Sequence, residues 1–222
     1  MCKSDIEKCR KIVERFTESL PKTIDPDLRT LSSQIPFRVI CFKNTLIHRV
    51  AHLSFESIEL QEKNFFLSSL IIARSALETA ALLFFLDKKI ESSIRINKTE
   101  ELESFIEKAL IGSRNGDTEK ESLNILTAID HIEKEYQEFG YFYRDLSEYA
   151  HPNFAGLLGA YTRLSEDKNK LIFGFNDLKI TSIEPLMATL LVTDHYNTEV
   201  DKKFNKLLEI CDLCQQSDSA RT

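Results

Sequence analysis

The chain has 222 residues, of which 42% are hydrophobic and 29% are charged, a balance that supports a packed core and argues against disorder. The net charge of -6 argues against a generic polyanion-binding protein, so any contact with nucleic acid has to come from a local basic site or from two protomers together. Six glycines and five prolines are few for a β-rich fold with many tight turns.

Helical periodicity recurs along the first half of the chain. A first amphipathic helix is predicted over 4–20, and Pro21 ends it. Pro36 is predicted to open a longer helix that runs to about Glu62. A central helix over 64–88 is apolar almost all round, which predicts burial on most sides.

The second half continues this pattern. Helices are predicted over three segments: 99–110, 118–139 and 141–150. Gly140 is predicted to break the chain between the last two. Two short apolar runs flank a polar turn, which predicts a small β-hairpin near 161–176. A long helix is predicted from 182 to 214.

These elements predict an all-α fold: a single helical bundle of about six to eight helices with a small β-hairpin. One domain is expected over 1–216, followed by a polar tail at 217–222. The N-terminus lacks the apolar core of a signal peptide, and charges interrupt the apolar run at 65–86. We therefore expect a cytoplasmic protein without membrane association.

Arg74 and Glu78 are the charges that interrupt this run, and they stand four positions apart, so they can touch. Burying a charge is costly unless it is paired. Two compatible interpretations follow. The pair forms an internal salt bridge that fixes helix packing, or it lines and supports a functional site.

Metal and redox sites receive little support from the sequence. Five cysteines form no disulfide framework, and Cys211 and Cys214 are expected to be buried or half-buried thiols. His48 and His52 stand four apart on one helical face, but the usual zinc signatures need a third, placed ligand, so a polar face is favoured. We expect no metal and no cofactor.

The segment from Tyr143 to Asn153 carries the clearest candidates for catalytic residues. On a helix, Arg144 and His151 return to within about 20° of the same face because they are seven positions apart. Ser147 and Glu148 lie between them on that face. Glu148 and His151 also match half of a di-iron motif, but the sequence contains no second Glu-x-x-His.

The helix that carries this motif is predicted to end at His151, because Pro152 disfavours helical geometry there. Asn153 can then cap the next element. In this composition an arginine lies five to seven positions before a histidine about 0.7 times by chance. The polar Asp145 directly after Arg144 lowers that expectation to about 0.1.

These residues resemble the motif of the HEPN superfamily of helical domains: an arginine, four to six intervening residues and a histidine, with a polar residue usually after the arginine. Arg144, Asp145 and His151 match it, with the longest of these spacings. The resemblance implies a metal-independent endoribonuclease of toxin or phage-defence type, acting on RNA as a homodimer and, if a toxin, neutralised by an antitoxin protein. Some members have lost activity, so the alternative is a non-catalytic HEPN-like helical module that binds a protein partner or a nucleotide.

The chemistry can also be argued from the side chains. RNA cleaves when its 2′-hydroxyl attacks the adjacent phosphorus, and His151 is suited to act as general acid or base. Arg144 offers bidentate donors to the phosphorane oxygens, and Asp145 can hold Arg144 or a neighbouring histidine. The supporting residues are Ser147, Glu148, Asn153, Arg74 and Glu78.

A purely structural interpretation of the motif stays open at this point. In it, Arg144 pairs with Glu148, its neighbour one helical turn on, and His151 caps the end of the helix.

Overall fold

The computed structural model describes residues 3–24, 33–174 and 181–219, with the side chains of residue 3 and of 213–219 left aside. The helices are α1 (Lys3–Ser19), α2 (Ile35–Glu62), α3 (Phe66–Ile96), α4 (Glu100–Ile111), α5 (Ile125–Glu135), α6 (Gln137–Ala150) and α7 (Ile183–Ser219). Between α6 and α7 lie a π-helical turn (Ala155–Gly159) and an antiparallel pair of strands, β1 (Thr162–Leu164) and β2 (Leu171–Phe173). The predicted all-α bundle with a small β-hairpin is confirmed.

Helix α3 is the centre of the bundle. It contacts α2, α4, α5, α6 and α7. Its buried apolar side chains are spread around the helix and include Leu70, Ala73, Leu77, Phe84 and Ile90. By length and composition α3 is also long and apolar enough to cross a membrane, although 61% of its most apolar window is buried inside the protein. The structure thus confirms the prediction that this helix is buried on most sides.

A buried network of small polar side chains joins α2, α3 and the start of α7. Ser57 Oγ donates to the Ser69 carbonyl at 2.9 Å, and the Ser69 and Ser182 hydroxyls lie 2.6 Å apart. Gln61 Oε1 accepts from the Ser182 N–H at 3.1 Å. All four residues are buried, so these hydrogen bonds fix the mutual positions of three helices.

Two helix boundaries were predicted wrongly. The helix predicted over 118–139 begins only at Ile125, because the Asn124 side chain caps it by accepting from the Leu126 N–H at 3.1 Å. The chain then breaks at Tyr136, whose φ of -130° and ψ of 85° are not helical. Gly140, expected to be the breaker, lies buried inside α6.

Two other helices, α3 and α7, extend further than predicted. α3 continues eight residues past the predicted end at 88, and α7 continues to Ser219, into the segment predicted as a polar tail. Residues 175 and 176 of the predicted hairpin lie outside the described residues.

The pair formed by Asp87 and Lys203 links α3 to α7 and gives a test of this packing. Asp87 is 1% exposed, and Lys203 Nζ lies 2.7 Å from both of its carboxylate oxygens. Lys203→Met leaves a buried carboxylate without its partner, so we expect a loss of about 3 kcal/mol in the free energy of unfolding, measured by urea denaturation. Lys202→Met, which removes an exposed lysine from the same helix, should cost less than about 0.5 kcal/mol. Equal losses in the two variants would contradict the assignment.

Candidate functional site

The backbone around His151 is fixed, whereas its imidazole is exposed. α6 ends at this residue, which adopts an extended conformation (φ -92°, ψ 148°), as predicted from the following proline. The His151 N–H donates to the Ser147 carbonyl at 3.1 Å, and the His151 carbonyl accepts from the Asn153 N–H at 2.8 Å. Among the described residues, no hydrogen bond or ion pair holds the imidazole, so it is open to solvent and to a ligand.

Asn153 ties the end of α6 to the π-helical turn. Its side-chain NH2 donates to Glu148 Oε2 at 2.6 Å, and its Oδ1 accepts from the Gly156 N–H at 3.2 Å. The predicted capping role of Asn153 is therefore confirmed. A Cβ atom at Gly156 would stand 2.2 Å from the His151 carbonyl oxygen, so the chain can pass there only with glycine. Asn153 and Gly156 together set the direction in which the chain leaves His151.

Arg144 is 62% exposed and turns towards α5. Its Nη1 donates to Glu133 Oε1 at 2.7 Å. The pairing with Glu148 considered in the purely structural interpretation is not formed: Arg144 pairs with Glu133, and the Glu148 carboxylate accepts from Asn153. Gly140, one turn before Arg144, leaves room for the Glu133 side chain: a Cβ atom there would stand 2.2 Å from the Glu133 carboxyl carbon, so the carboxylate would have to shift.

Arg144 lines an open groove of about 650 Å³ between α5 and α6. The other lining residues are Asp130, Glu133, Lys134 and Gln137. His151 does not line this groove, and no described contact joins it to Arg144. Both side chains are therefore exposed on α6 or at its end, but within one chain the structure does not bring them together.

The predicted ion pair between Arg74 and Glu78 is present and half-buried. Arg74 Nε lies 3.2 Å from Glu78 Oε1. Arg74 also reaches the motif helix: its Nη2 donates to the Tyr143 hydroxyl at 3.2 Å, and its guanidinium lies over the Tyr143 ring at 5.2 Å. The pair thus contacts α6 at the residue before Arg144. It does not contact Arg144 or His151.

Two further arginines, Arg49 and Arg114, act electrostatically on Glu78. Burial raises the pKa of the Glu78 carboxyl, and the positive charges of Arg74, Arg49 and Arg114 oppose that rise. Arg49 Nε donates to the hydroxyl of Thr79, the residue next to Glu78, at 3.2 Å. We call Arg49, Arg74 and Arg114 the arginine cluster. Three positive charges thus act on one carboxylate in a protein whose net charge is negative.

Asp145 follows Arg144 in the sequence but is not paired with it in the described part of the chain. It is half-buried, and both burial and the negative charge of Glu148 raise the pKa of its carboxyl. No ion pair joins it to Arg144 in the described part of the chain, where Arg144 pairs with Glu133. Ser147 also faces the helix backbone, because its hydroxyl donates to the Tyr143 carbonyl at 2.6 Å.

The described residues contain no group of three or more His, Cys, Asp or Glu side chains arranged to hold a metal ion. His48 and His52 line a groove between α1 and α2, and His52 Nε2 lies 3.8 Å from Glu56 Oε1. Cys211 is buried, as expected, whereas the Cys214 side chain lies outside the described residues.

Three residues that shape the site were missed from the sequence: Glu133, Tyr143 as a partner of Arg74, and Gly156. Glu133 lies on a separate helix, eleven positions before Arg144, so no local spacing rule signals the contact. Gly156 does leave a signal, because a glycine shortly after a proline-terminated helix often permits close backbone approach.

Comparison with protein-family models, with curated proteins and with solved structures finds no match to this chain. The resemblance to the HEPN superfamily therefore stays a prediction from the motif residues.

Asp145 provides a test of the site's electrostatics. Because its folded pKa is raised, the native state holds the proton more tightly than the unfolded state, and the ionised carboxylate costs stability as the pH rises. Asp145→Asn should therefore raise the melting temperature at pH 7. The gain should shrink as the pH falls towards the ordinary aspartate pKa of about 3.9, as followed by circular dichroism.

Asp130→Asn is the matched control, since Asp130 is exposed on α5, and it should change the melting temperature little at either pH. A lower melting temperature for Asp145→Asn at pH 7 would show that the carboxylate is stabilising, contrary to this account.

Proposed function

We propose that this chain is a metal-independent endoribonuclease of toxin or phage-defence type that acts in the cytoplasm as a homodimer. His151 is the general acid or base, and Arg144 stabilises the phosphorane. The observation that carries the proposal is the exposed imidazole of His151, which has no partner among the described residues and stands on a backbone fixed by Ser147, Asn153 and Gly156. Such a group can exchange protons with a bound substrate from a defined position.

The cleavage step needs more than one chain's histidine. His151 accepts the proton of the 2′-hydroxyl while the 2′-oxygen bonds to phosphorus. The bond from phosphorus to the 5′-oxygen then breaks, and a second group gives that oxygen a proton. The products are a 2′,3′-cyclic phosphate and a 5′-hydroxyl. A second copy of the chain supplies a second His151, which is why a homodimer suits this chemistry.

Arg144 remains available to a phosphate although it is paired. Its partner Glu133 lies at the surface, and an exposed ion pair contributes only about 0–1 kcal/mol. A phosphate accepts bidentate hydrogen bonds from a guanidinium, so it can compete with the single bond to Glu133. Lys134, in the same groove, adds a second positive charge.

The arginine cluster supports contact with RNA. The net charge of -6 requires a local basic site for a nucleic-acid ligand, and the cluster is one such site beside α6. Arg74 connects the cluster to the motif helix through Tyr143. We expect RNA phosphates to reach this surface when a scissile bond lies at His151.

The second candidate is a non-catalytic helical module that binds a protein partner or a nucleotide. The observation in its favour is the absence of a described contact between Arg144 and His151, together with the engagement of Arg144 by Glu133. A protein partner of this kind, an antitoxin for example, would cover the same exposed side chains.

His151→Ala and Arg144→Ala test the proposal. Each should lower the rate of RNA cleavage by about 100-fold or more in the presence of a metal chelator, because each removes a group that acts on the reacting phosphate. Each should also relieve growth arrest on expression. The readouts are gel-resolved cleavage of total RNA and colony counts after induction.

His52→Ala and Arg95→Ala are the matched controls. Both side chains are exposed and neither is part of the proposed site, so both variants should cleave RNA like the wild type. Undiminished cleavage by His151→Ala would rule out the assigned mechanism, and a wild type that neither cleaves RNA nor arrests growth would favour the non-catalytic module.

A further inference from the structure

A run of exposed apolar side chains follows the candidate site directly. Eight large residues between the end of α6 and the end of β2 lie on the surface: Phe154, Leu157, Leu158, Tyr161, Leu164, Leu171, Ile172 and Phe173. We call these eight the hairpin patch. Phe154 and Phe173 are each 76% exposed. Single exposed apolar residues are ordinary on a protein surface, but a run of this density is typical of an interaction surface.

Backbone contacts hold the hairpin patch together. The π-helical turn packs against both α6 and β1. Thr162 Oγ1 donates to the Leu158 carbonyl at 2.6 Å, and the Gly174 N–H donates to the Tyr161 carbonyl at 2.9 Å. The turn and the hairpin therefore form one continuous extension of the motif helix.

The apolar side chains of the two strands are exposed. Leu164 pairs with Leu171, and Thr162 pairs with Phe173, so three large apolar side chains share one face of the two strands. Leu164 is 60% exposed and Leu171 is 48% exposed. An isolated two-stranded hairpin is at best marginally stable in water without a packed face. This face thus needs a partner surface to become buried.

We propose that the hairpin patch is covered by a second copy of this chain. Its side chains are between 37% and 76% exposed, and three of them, Leu164, Leu171 and Phe173, form one apolar face of the hairpin beside the exposed Phe154, Leu157 and Leu158 of the preceding turn. Under two-fold symmetry the same apolar surface lies on both sides, so it is complementary to itself.

The charges at the hairpin turn also favour a second copy of this chain as the partner. The turn carries Glu166 and Asp167 with Lys168 and Lys170, two residues of each sign. Across a two-fold axis, each acidic pair can face a basic pair of the other copy. A strongly acidic or basic partner would gain nothing from this balanced turn, and an anionic lipid surface would favour an excess of lysine and arginine.

The consequence for the candidate site rests on the proposed function. Phe154 lies three positions after His151, so an interface on the hairpin patch brings the second copy close to His151. The second proton donor that cleavage requires then comes from the partner copy. The same arrangement accounts for the lack of a described contact between Arg144 and His151 within one chain, since the site is incomplete without the second copy.

Leu164→Glu and Phe173→Glu test the interface, with Leu191→Glu as a matched control. Leu191 is 55% exposed on α7, which is not among the elements that pack against the hairpin strands. Analytical ultracentrifugation at tens of micromolar should give twice the monomer mass for the wild type and for the control. The two hairpin variants should dissociate at least about tenfold more readily, because each places a charge in an apolar interface. Their far-ultraviolet circular dichroism should match the wild type, since both side chains are exposed.

A monomeric wild type, or a dimer that survives both hairpin substitutions, would overturn the inference. Binding of a monomeric wild type to phosphatidylcholine vesicles would also overturn it and assign the patch to a lipid surface. RNA cleavage by the same samples separates the two proposals. A wild type that dimerises through the hairpin but does not cleave RNA would support the proposed interface and contradict the proposed nuclease function. A monomeric wild type that cleaves RNA would support the nuclease function and contradict the interface.

Discussion

The burial of α3 is the constraint on which the rest of the structure depends. This helix of 31 residues is apolar almost all round, so it has to be covered from several directions, and five helices pack against it. Two of the charged pairs on it are Asp87 with Lys203 of α7, and Arg74 with Glu78. Arg74 also holds Tyr143, so the position of the motif helix α6 follows from the packing of the core.

The site combines an ordered backbone with exposed chemical groups. The residues that fix the end of α6 are hydrogen-bonded, whereas the Arg144 and His151 side chains reach solvent and stay apart within one chain. An arrangement of this kind suits a site that is completed by something outside the chain. The apolar surface that begins three residues after His151 offers the place where a second copy could complete it.

Much of the fold followed from the sequence, because helical periodicity and proline positions are local signals. The paired charges on α3 and the helix end at His151 were predicted for the same reason. The contact between Arg144 and Glu133 was not, since it joins two helices and depends on how they pack. The break predicted at Gly140 was wrong: the chain breaks at Tyr136 instead, and Gly140 lies buried inside α6 beside the Glu133 carboxylate. Periodicity also could not show that the hairpin would be left uncovered, because alternation identifies an apolar face and not its partner.

The most direct test of the central claim is the chemistry of the ends that the protein leaves on RNA. Purified protein with a metal chelator should produce fragments with a 2′,3′-cyclic phosphate and a 5′-hydroxyl, identified by mass spectrometry. A single 2′-deoxy substitution at the cleaved nucleotide should abolish cleavage there, since the attacking hydroxyl is gone. Fragments with a 3′-hydroxyl and a 5′-phosphate, or cleavage that persists at the 2′-deoxy position, would contradict the assignment of Arg144 and His151 to this reaction.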